Sequence, residues 1–350
     1  MQARGLQVIR LNPERCVLKR GIHELVVSGT AVNTVVEPLL TLLDGTRDTR
    51  QLLDSFSADL RPDVQQLLEV LQRRGLVSAE PAGEAEAPAE GVLERAFFDN
   101  FGPMGKTAPE LLRQSTVLVV GVNLISRSLV RGLLECGVGR VLLAGHPILD
   151  NHVAPSRWVQ GLGALGNVEL LDAIPDEEAA LRGVSLLCAT CDFGEAEALL
   201  EMNRLALRHG KPFLPVWLSE MQGAIGPLNY PRETACLRCY RLRSDSNHPK
   251  YELARAIRAR MTSEPEARQS VGLLSPMPGV LGEIATVEIS KALGQYLPAD
   301  SIGRVIDINL VSFSSMVRRV LKIPRCPDCS EQTRCAPMAL MRGPQITQKG

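Results

Sequence analysis

Two short motifs in this chain have the residue types and spacing for metal chemistry: Cys236-Leu237-Arg238-Cys239 and Cys326-Pro327-Asp328-Cys329. A CxxC turn aims two thiolates at one point, and two such turns complete a tetrahedral zinc shell. Four sulfurs leave no coordination position for water, so Cys236, Cys239, Cys326 and Cys329 point to a structural zinc and not a catalytic one. Buried cysteines or a redox pair are the plainer alternatives. A third pair, Cys188-Ala189-Thr190-Cys191, closes an apolar run, and residues three apart on a strand face opposite ways, which makes it a poor chelate. Cys335 is a spare ligand for either knuckle, while Cys16 and Cys136 have the apolar neighbours of core cysteines. The five histidines are dispersed without metal spacing.

The totals narrow the function classes. Lys+Arg and Asp+Glu are both 39, so the formal net charge is zero, which argues against nucleic-acid binding through bulk charge. Aromatics make up 4%, too few for a base-stacking surface. Hydrophobic residues at 45% are those of a globular chain, and no apolar run reaches the roughly 20 residues of a membrane helix. The N-terminus, MQARGLQVIRLNPERC, has no signal-peptide h-region, and paired CxxC motifs without export signals favour metal over disulfide. A cytoplasmic location is expected.

Domain organisation follows from composition. SAEPAGEAEAPAEGV at 78–92 cannot bury enough apolar surface to order itself, which sets a linker over 79–92. Before it, 1–78 reads as a small α+β domain. Cys16–Lys19, Glu24–Ser28 and Ala31–Val36 are predicted strands, followed by helices Pro38–Leu43, Thr49–Phe56 with Asp48 as N-cap, and Pro62–Arg74. That order fits a winged-helix-like module. After the linker, 93–335 alternates strands and helices as a mostly parallel sheet does. Thr116–Val120, Arg140–Ala144, Val184–Thr190 and Pro212–Trp217 are predicted strands; helices are predicted near Ile125–Cys136, Glu195–His209 and Met277–Leu293. The tail 336–350 carries no readable signal.

From about Phe98 to Cys329 the sequence resembles the ThiF/MoeB adenylating enzymes, relatives of the ubiquitin-activating enzymes. The resemblance rests on VLVVG at 117–121, LLECGVGRVLL at 133–143, ATCDFGEAEALLEMNRLAL at 189–207, ACLRC at 235–239, PGVLGEIATVEISKAL at 278–293 and CPDC at 326–329. It implies a Rossmann-like α/β domain with structural zinc and a homodimer. It also implies acyl-adenylation, from which the residues depart. The family's glycine-rich phosphate turn is here Gly121-Val122-Asn123-Leu124-Ile125-Ser126, with only the first glycine kept. The ribose-binding acid after the second strand is missing, with no carboxylate before Asp150. Arg157 and Gln160 remain, but the phosphate-clamping lysine does not. Asp192 resembles the family's ATP-proximal aspartate and would be catalytic if adenylation persists; it could equally cap a helix or turn. No cysteine lies between 240 and 275 to carry a thioester. ATP binding by this chain is therefore not expected.

A degenerate adenylation fold behind a small winged-helix-like module resembles the ThiF-like partner proteins of azole and azoline peptide biosynthesis. There the small module is a recognition element for a precursor's leader peptide, which is handed to a YcaO-type cyclodehydratase. GIHELVVSG, LLDGTRDTRQLLDSF and LLEVLQRRGLV follow that element's general pattern. An extended leader could add a strand to a free sheet edge. The edge expected here is Ala31–Val36 with the helix Pro62–Arg74 as the facing wall, making Val32, Val35, Leu67, Leu71 and Arg74 the candidate contacts. For any one of these aliphatics, core filling is the plainer reading. An active ATP-dependent adenylating enzyme is the second reading. DNA binding is a third, weakened by a last helix that is not basic enough.

Overall fold

The computed structural model describes residues 3, 6–74, 76–77, 92–151, 161, 167–175, 181–194, 197–263 and 272–330. The chain divides into two compact units, Met1–Pro109 and Glu110–Gly350. Of the linker expected over 79–92, residues 79–91 lie outside the described residues, as does the tail, and Val92 begins a helix.

In the first unit, β1 (Gln7–Asn12), β2 (Arg15–Arg20) and β3 (His23–Ser28) form an antiparallel meander in the order β1-β2-β3. Cys16 pairs with Val27 and Leu18 with Leu25, so every second residue of β2 enters the core while Arg15 and Lys19 face out. Ala31–Val36 is not a strand: Val32–Val36 is a single π-helical turn that continues into α1 (Glu37–Leu42). Val32, Val35 and Val36 recur at helical spacing and are 0, 2 and 0% exposed, packed with Leu39, Leu52 and Leu71. The β-branched residues suggested a strand, and burial of one helical face overrode that propensity. The missing third strand is β1, whose residues are all exposed and carry no hydrophobic alternation.

α2 (Thr49–Asp54) starts where Asp48 predicts, with a capping box. The Gln51 N–H donates to Asp48 Oδ1 at 2.8 Å and the Asp48 N–H to Gln51 Oε1 at 2.9 Å. α3 (Arg61–Arg73) buries Val64, Leu68 and Leu71. The first unit also runs past residue 78, taking in α4 (Val92–Phe98) and a 3-10 turn at Asp99–Phe101. The β2–β3 hairpin is fastened to that turn: Arg20 pairs with Asp99 at 2.5 Å, and His23 Nε2 lies 2.6 Å from the Asn100 carbonyl.

The second unit, entered through α5 (Gly102–Arg113), is built on an eight-stranded sheet. Its elements are β4 (Thr116–Val120), α6 (Leu124–Glu135), β5 (Arg140–Ala144), β6 (Val168–Leu171), β7 (Leu186–Cys191), α7 (Ala198–Arg208), β8 (Phe213–Ser219) and β9 (Gln222–Ile225). There follow α8 (Leu237–Asn247), α9 (Tyr251–Ser263), α10 (Pro276–Gly294), β10 (Arg304–Asn309) and β11 (Ser315–Arg319). The strand order is β11-β10-β9-β8-β7-β4-β5-β6; β8 to β6 are parallel neighbours, and β9 to β11 extend the sheet antiparallel. The central β4 and β7 read as unbroken apolar runs because helices cover both faces of a parallel sheet. α10 packs tightly on α6: a Cβ on Gly282 would lie 2.6 Å from the Ile125 carbonyl oxygen. No helix among the described residues is long and apolar enough to cross a membrane.

Truncation separates the two readings of 31–36. Val35→Ala in the full chain should cost about 1–3 kcal/mol of first-unit stability through the cavity it opens. Faster hydrogen exchange of the β2 and α3 amides would report the loss. Unchanged exchange would mean that Val35 is a surface contact after all.

Candidate functional site

The two knuckles meet. Cys236 is the N-cap of α8 and Cys239 lies in its first turn, while Cys326 and Cys329 follow β11. Sulfur separations are 3.9 Å for Cys236–Cys239, 3.8 Å for Cys236–Cys326 and 3.6 Å for Cys239–Cys329, and all four lie within 4.8 Å of one another. A tetrahedron with metal–sulfur bonds of about 2.3 Å has edges of about 3.8 Å, so the four buried thiols suit a closed four-sulfur metal shell. Among the described residues no other group of ligand side chains forms such a cluster. Cys188 and Cys191 are both buried in β7, and burial pushes the Cys188 thiol well up, away from the thiolate that a metal needs. Cys335 lies outside the described residues.

Asn203, on α7 and fully buried, braces both knuckles, a role the sequence reading missed. Its Oδ1 accepts the Leu237 N–H at 3.1 Å and its Nδ2 donates to Asp328 Oδ2 at 3.1 Å. The Ile323 N–H donates to Cys239 Sγ at 3.4 Å. Nothing local in the sequence marks Asn203; an amide on an otherwise apolar helix face was the only signal.

At the carboxyl end of β4 the chain enters α6 through the turn where the resemblance places a nucleotide. Gly121 has φ of +100°, and a Cβ there would stand 2.6 Å from the Thr190 carbonyl oxygen, so only glycine fits. The turn's own N–H groups are all occupied. Gly121 N donates to the Ala144 carbonyl at 2.9 Å, Val122 N to Asp150 Oδ1 at 2.7 Å and Asn123 N to Ser126 Oγ at 2.9 Å. Leu124 N donates to Asp192 Oδ2 at 2.9 Å, and both Ile125 N and Ser126 N to Asn123 Oδ1 at 3.1 Å. The Asn123 amide also donates to the Leu149 carbonyl, the Thr190 carbonyl and Thr190 Oγ1 at 2.9–3.0 Å. Helix N-termini hold phosphate through free N–H donors, and here Asp192, Asp150 and Asn123 have taken those donors.

Asp192 is fully buried, with Asn151 Nδ2 within 3.1 Å of both its oxygens. Burial raises its carboxyl above the usual range, against the pull of Asn151 and the Leu124 N–H. Asp150, the first carboxylate after β5, accepts from the Val122 and His146 N–H groups, so it serves the turn. Arg157 and Gln160 lie outside the described residues.

Residues 161–331 match the ThiF family. The chain carries a ThiF-family domain. No curated protein matches it. Among solved structures, E. coli MccB superposes with a TM-score of 0.70 at 14% identity, over 94% of this chain and 96% of that one. E. coli MccB with AMPCPP and selenomethionine-labelled MccA gives 0.69 at 13% identity, over 94% and 99%. A heterocyclase in complex with substrate and cofactor gives 0.59 at 17% identity, with 94% of this chain lying on 39% of that one. At these identities the likeness establishes a shared fold, and the ThiF domain's sulfur cluster and capped turn are properties of this chain's own residues.

Of the candidate peptide contacts, Val32, Val35 and Leu71 are buried in the first unit's core, Leu67 is partly buried against it, and Arg74 is exposed with its guanidinium on the Glu24 carbonyl at 2.9 Å.

Two outcomes test the ThiF domain. The purified chain should carry one tightly bound metal ion; Cys326→Ser should abolish retention, and Asn203→Ala should weaken metal affinity about 10–100-fold in a chelator competition. Asn123→Ala should lower ThiF-domain stability by about 2 kcal/mol or more in denaturant titration, because a cap and buried hydrogen bonds are lost together.

Proposed function

We propose that this chain captures the leader of a ribosomally made precursor peptide and presents it to a YcaO-type cyclodehydratase for azoline or azole formation, its ThiF domain serving as a scaffold without adenylation activity of its own. The observation that carries this reading is the closed turn at Gly121–Ser126. Its N–H groups are spent on the chain's own side chains, and a buried aspartate stands where a phosphate would otherwise sit. Restoring an ATP site would require breaking that network.

The peptide's place moves from the expected edge to β3. This strand has no neighbour on its far side among the described residues. The end of α3 reaches it through Arg74 on the Glu24 carbonyl, and Leu25, Val27 and Leu67 are only partly buried. An added strand would gain main-chain hydrogen bonds along β3 and place alternate side chains against α3. The folds superposed on this chain include MccB solved with N-formylated MccA and a heterocyclase solved with substrate, and both fit a peptide partner. In this reading the first unit is the winged-helix-like recognition module, the four cysteines hold a structural zinc, and the chain is a cytoplasmic homodimer.

MccB is also solved with ATP, which keeps the adenylating alternative testable. The test is a fluorescence-anisotropy titration of a labelled leader from a precursor peptide of the same organism, with ATP–pyrophosphate exchange measured in parallel. Saturable binding, weakened at least about tenfold by Leu67→Ser or Arg74→Ala, with no exchange, is expected. Absence of binding together with exchange abolished by Asp192→Ala would return the chain to the adenylating enzymes.

A further inference from the structure

The antiparallel end of the large sheet is left open. β11 is its last strand, all five of its residues are exposed, and no strand pairs with its outer edge among the described residues. An exposed edge that carries large apolar groups is a ready template for another chain. Met316 and Val317 on the strand are 62 and 48% exposed, and Val311 and Leu321 on either side are 57 and 53% exposed.

The hairpin between β10 and β11 holds Phe313 out in solvent at 75% exposure, with φ of +57°, a conformation that a bulky residue adopts at a cost. The turn is rigid. Asn309 Oδ1 accepts the Val311 and Ser312 N–H groups at 3.0 and 2.9 Å, and the Asn309 N–H donates to the Ser314 carbonyl at 2.9 Å. A strained, preorganised and exposed aromatic has the form of an interface anchor.

Charge identifies the occupant. Arg304 and Arg319 lie directly opposite each other on β10 and β11, both exposed, and neither has an ion pair or side-chain hydrogen bond among the described residues. Like charges facing across a ladder repel, and a carboxylate between them removes the conflict. Arg318, on the other face, already has Asp307 at 2.7 Å. Arg319 and Val317 alternate on one face, so a strand added to β11 would place an acidic residue by the arginine pair and an apolar one by Val317. A second copy does not meet that need. Antiparallel self-pairing about Val317 would set Arg319 against Ser315 and leave both arginine pairs without an anion.

We propose that β11 and the Phe313 turn dock an extended, acidic and apolar segment of the partner enzyme, adding it as a ninth strand of the sheet. This rests on the partner reading given under Proposed function. The test uses the full chain as wild type, as Arg304→Glu/Arg319→Glu and as Phe313→Ser. Calorimetry would measure affinity for a YcaO-type cyclodehydratase of the same organism at low and high salt, anisotropy would measure leader affinity, and sedimentation would give the mass of the chain alone. The charge-reversed chain should bind the enzyme at least about tenfold more weakly at low salt, with a smaller difference at high salt, and Phe313→Ser should weaken binding at both. Leader affinity and mass should stay unchanged. Equal enzyme affinity in all three chains overturns the proposal, as does a drop from dimer to monomer mass, which would assign the surface to a second copy. A wild type that binds leader but no enzyme overturns the docking alone; one that binds neither removes the functional reading with it.

Discussion

The start of α6 imposes a requirement that much of the ThiF domain answers. A helix beginning inside a protein presents N–H groups that water cannot reach, and each must find an acceptor or lose the free energy of a hydrogen bond. In proteins that bind a nucleotide at a helix N-terminus a phosphate supplies those acceptors. Here three strand ends supply them: Asn123 and Ser126 from the turn itself, Asp150 from beyond β5, and Asp192 from beyond β7. Asn123 then reaches back to Thr190, locking β4 to β7. The network is largely buried and interlocked, so its members depend on one another. Buried networks of this kind hold a structure firmly when fully satisfied and are costly when one member is missing.

The sulfur cluster does comparable work at the other side of the sheet. β9 to β11 turn away from the parallel order, and β10 and β11 lead the chain into the second knuckle. Four buried thiols at metal-shell distances pin that extension to α8, and Asn203 carries the tie to α7. Both halves of the domain are therefore held at points where polar or sulfur groups converge, over a core that is otherwise apolar.

The first unit solves a smaller problem with the same economy. Its core is a cluster of apolar residues drawn mainly from β2, the turn at Val32–Val36 and α1 to α3. Filling that core consumes the valines that a groove would have used. What stays unpaired by another strand among the described residues is the outer edge of β3, where Arg74 reaches the Glu24 carbonyl. Recognition of extended peptides depends on such backbone groups, with side-chain pockets adding selectivity.

Much was legible in the residues themselves. Paired CxxC motifs announce a four-sulfur site whatever the intervening fold, because the turn geometry is local. Apolar runs such as Thr116–Val120, the cap at Asp48 and the lone glycine at 121 are also local signals, and each stands where it was expected. Ala31–Val36 was misread because β-branched residues favour strands in isolation, and only the packing of three valines against Leu39 and Leu71 decides for a helical turn. β1 and β11 left little trace because exposed edge strands lose the hydrophobic alternation that marks buried ones. The roles of Asn203 and Asp150 could not be read, since each depends on partners tens of residues away; for Asp192 the sequence left capping open beside catalysis, and only the fold sets its carboxylate on the Leu124 N–H. Local spacing determined which chemistry the chain can hold; the tertiary structure decided which polar groups remain free to use it, because only folding brings distant donors and acceptors within hydrogen-bonding reach.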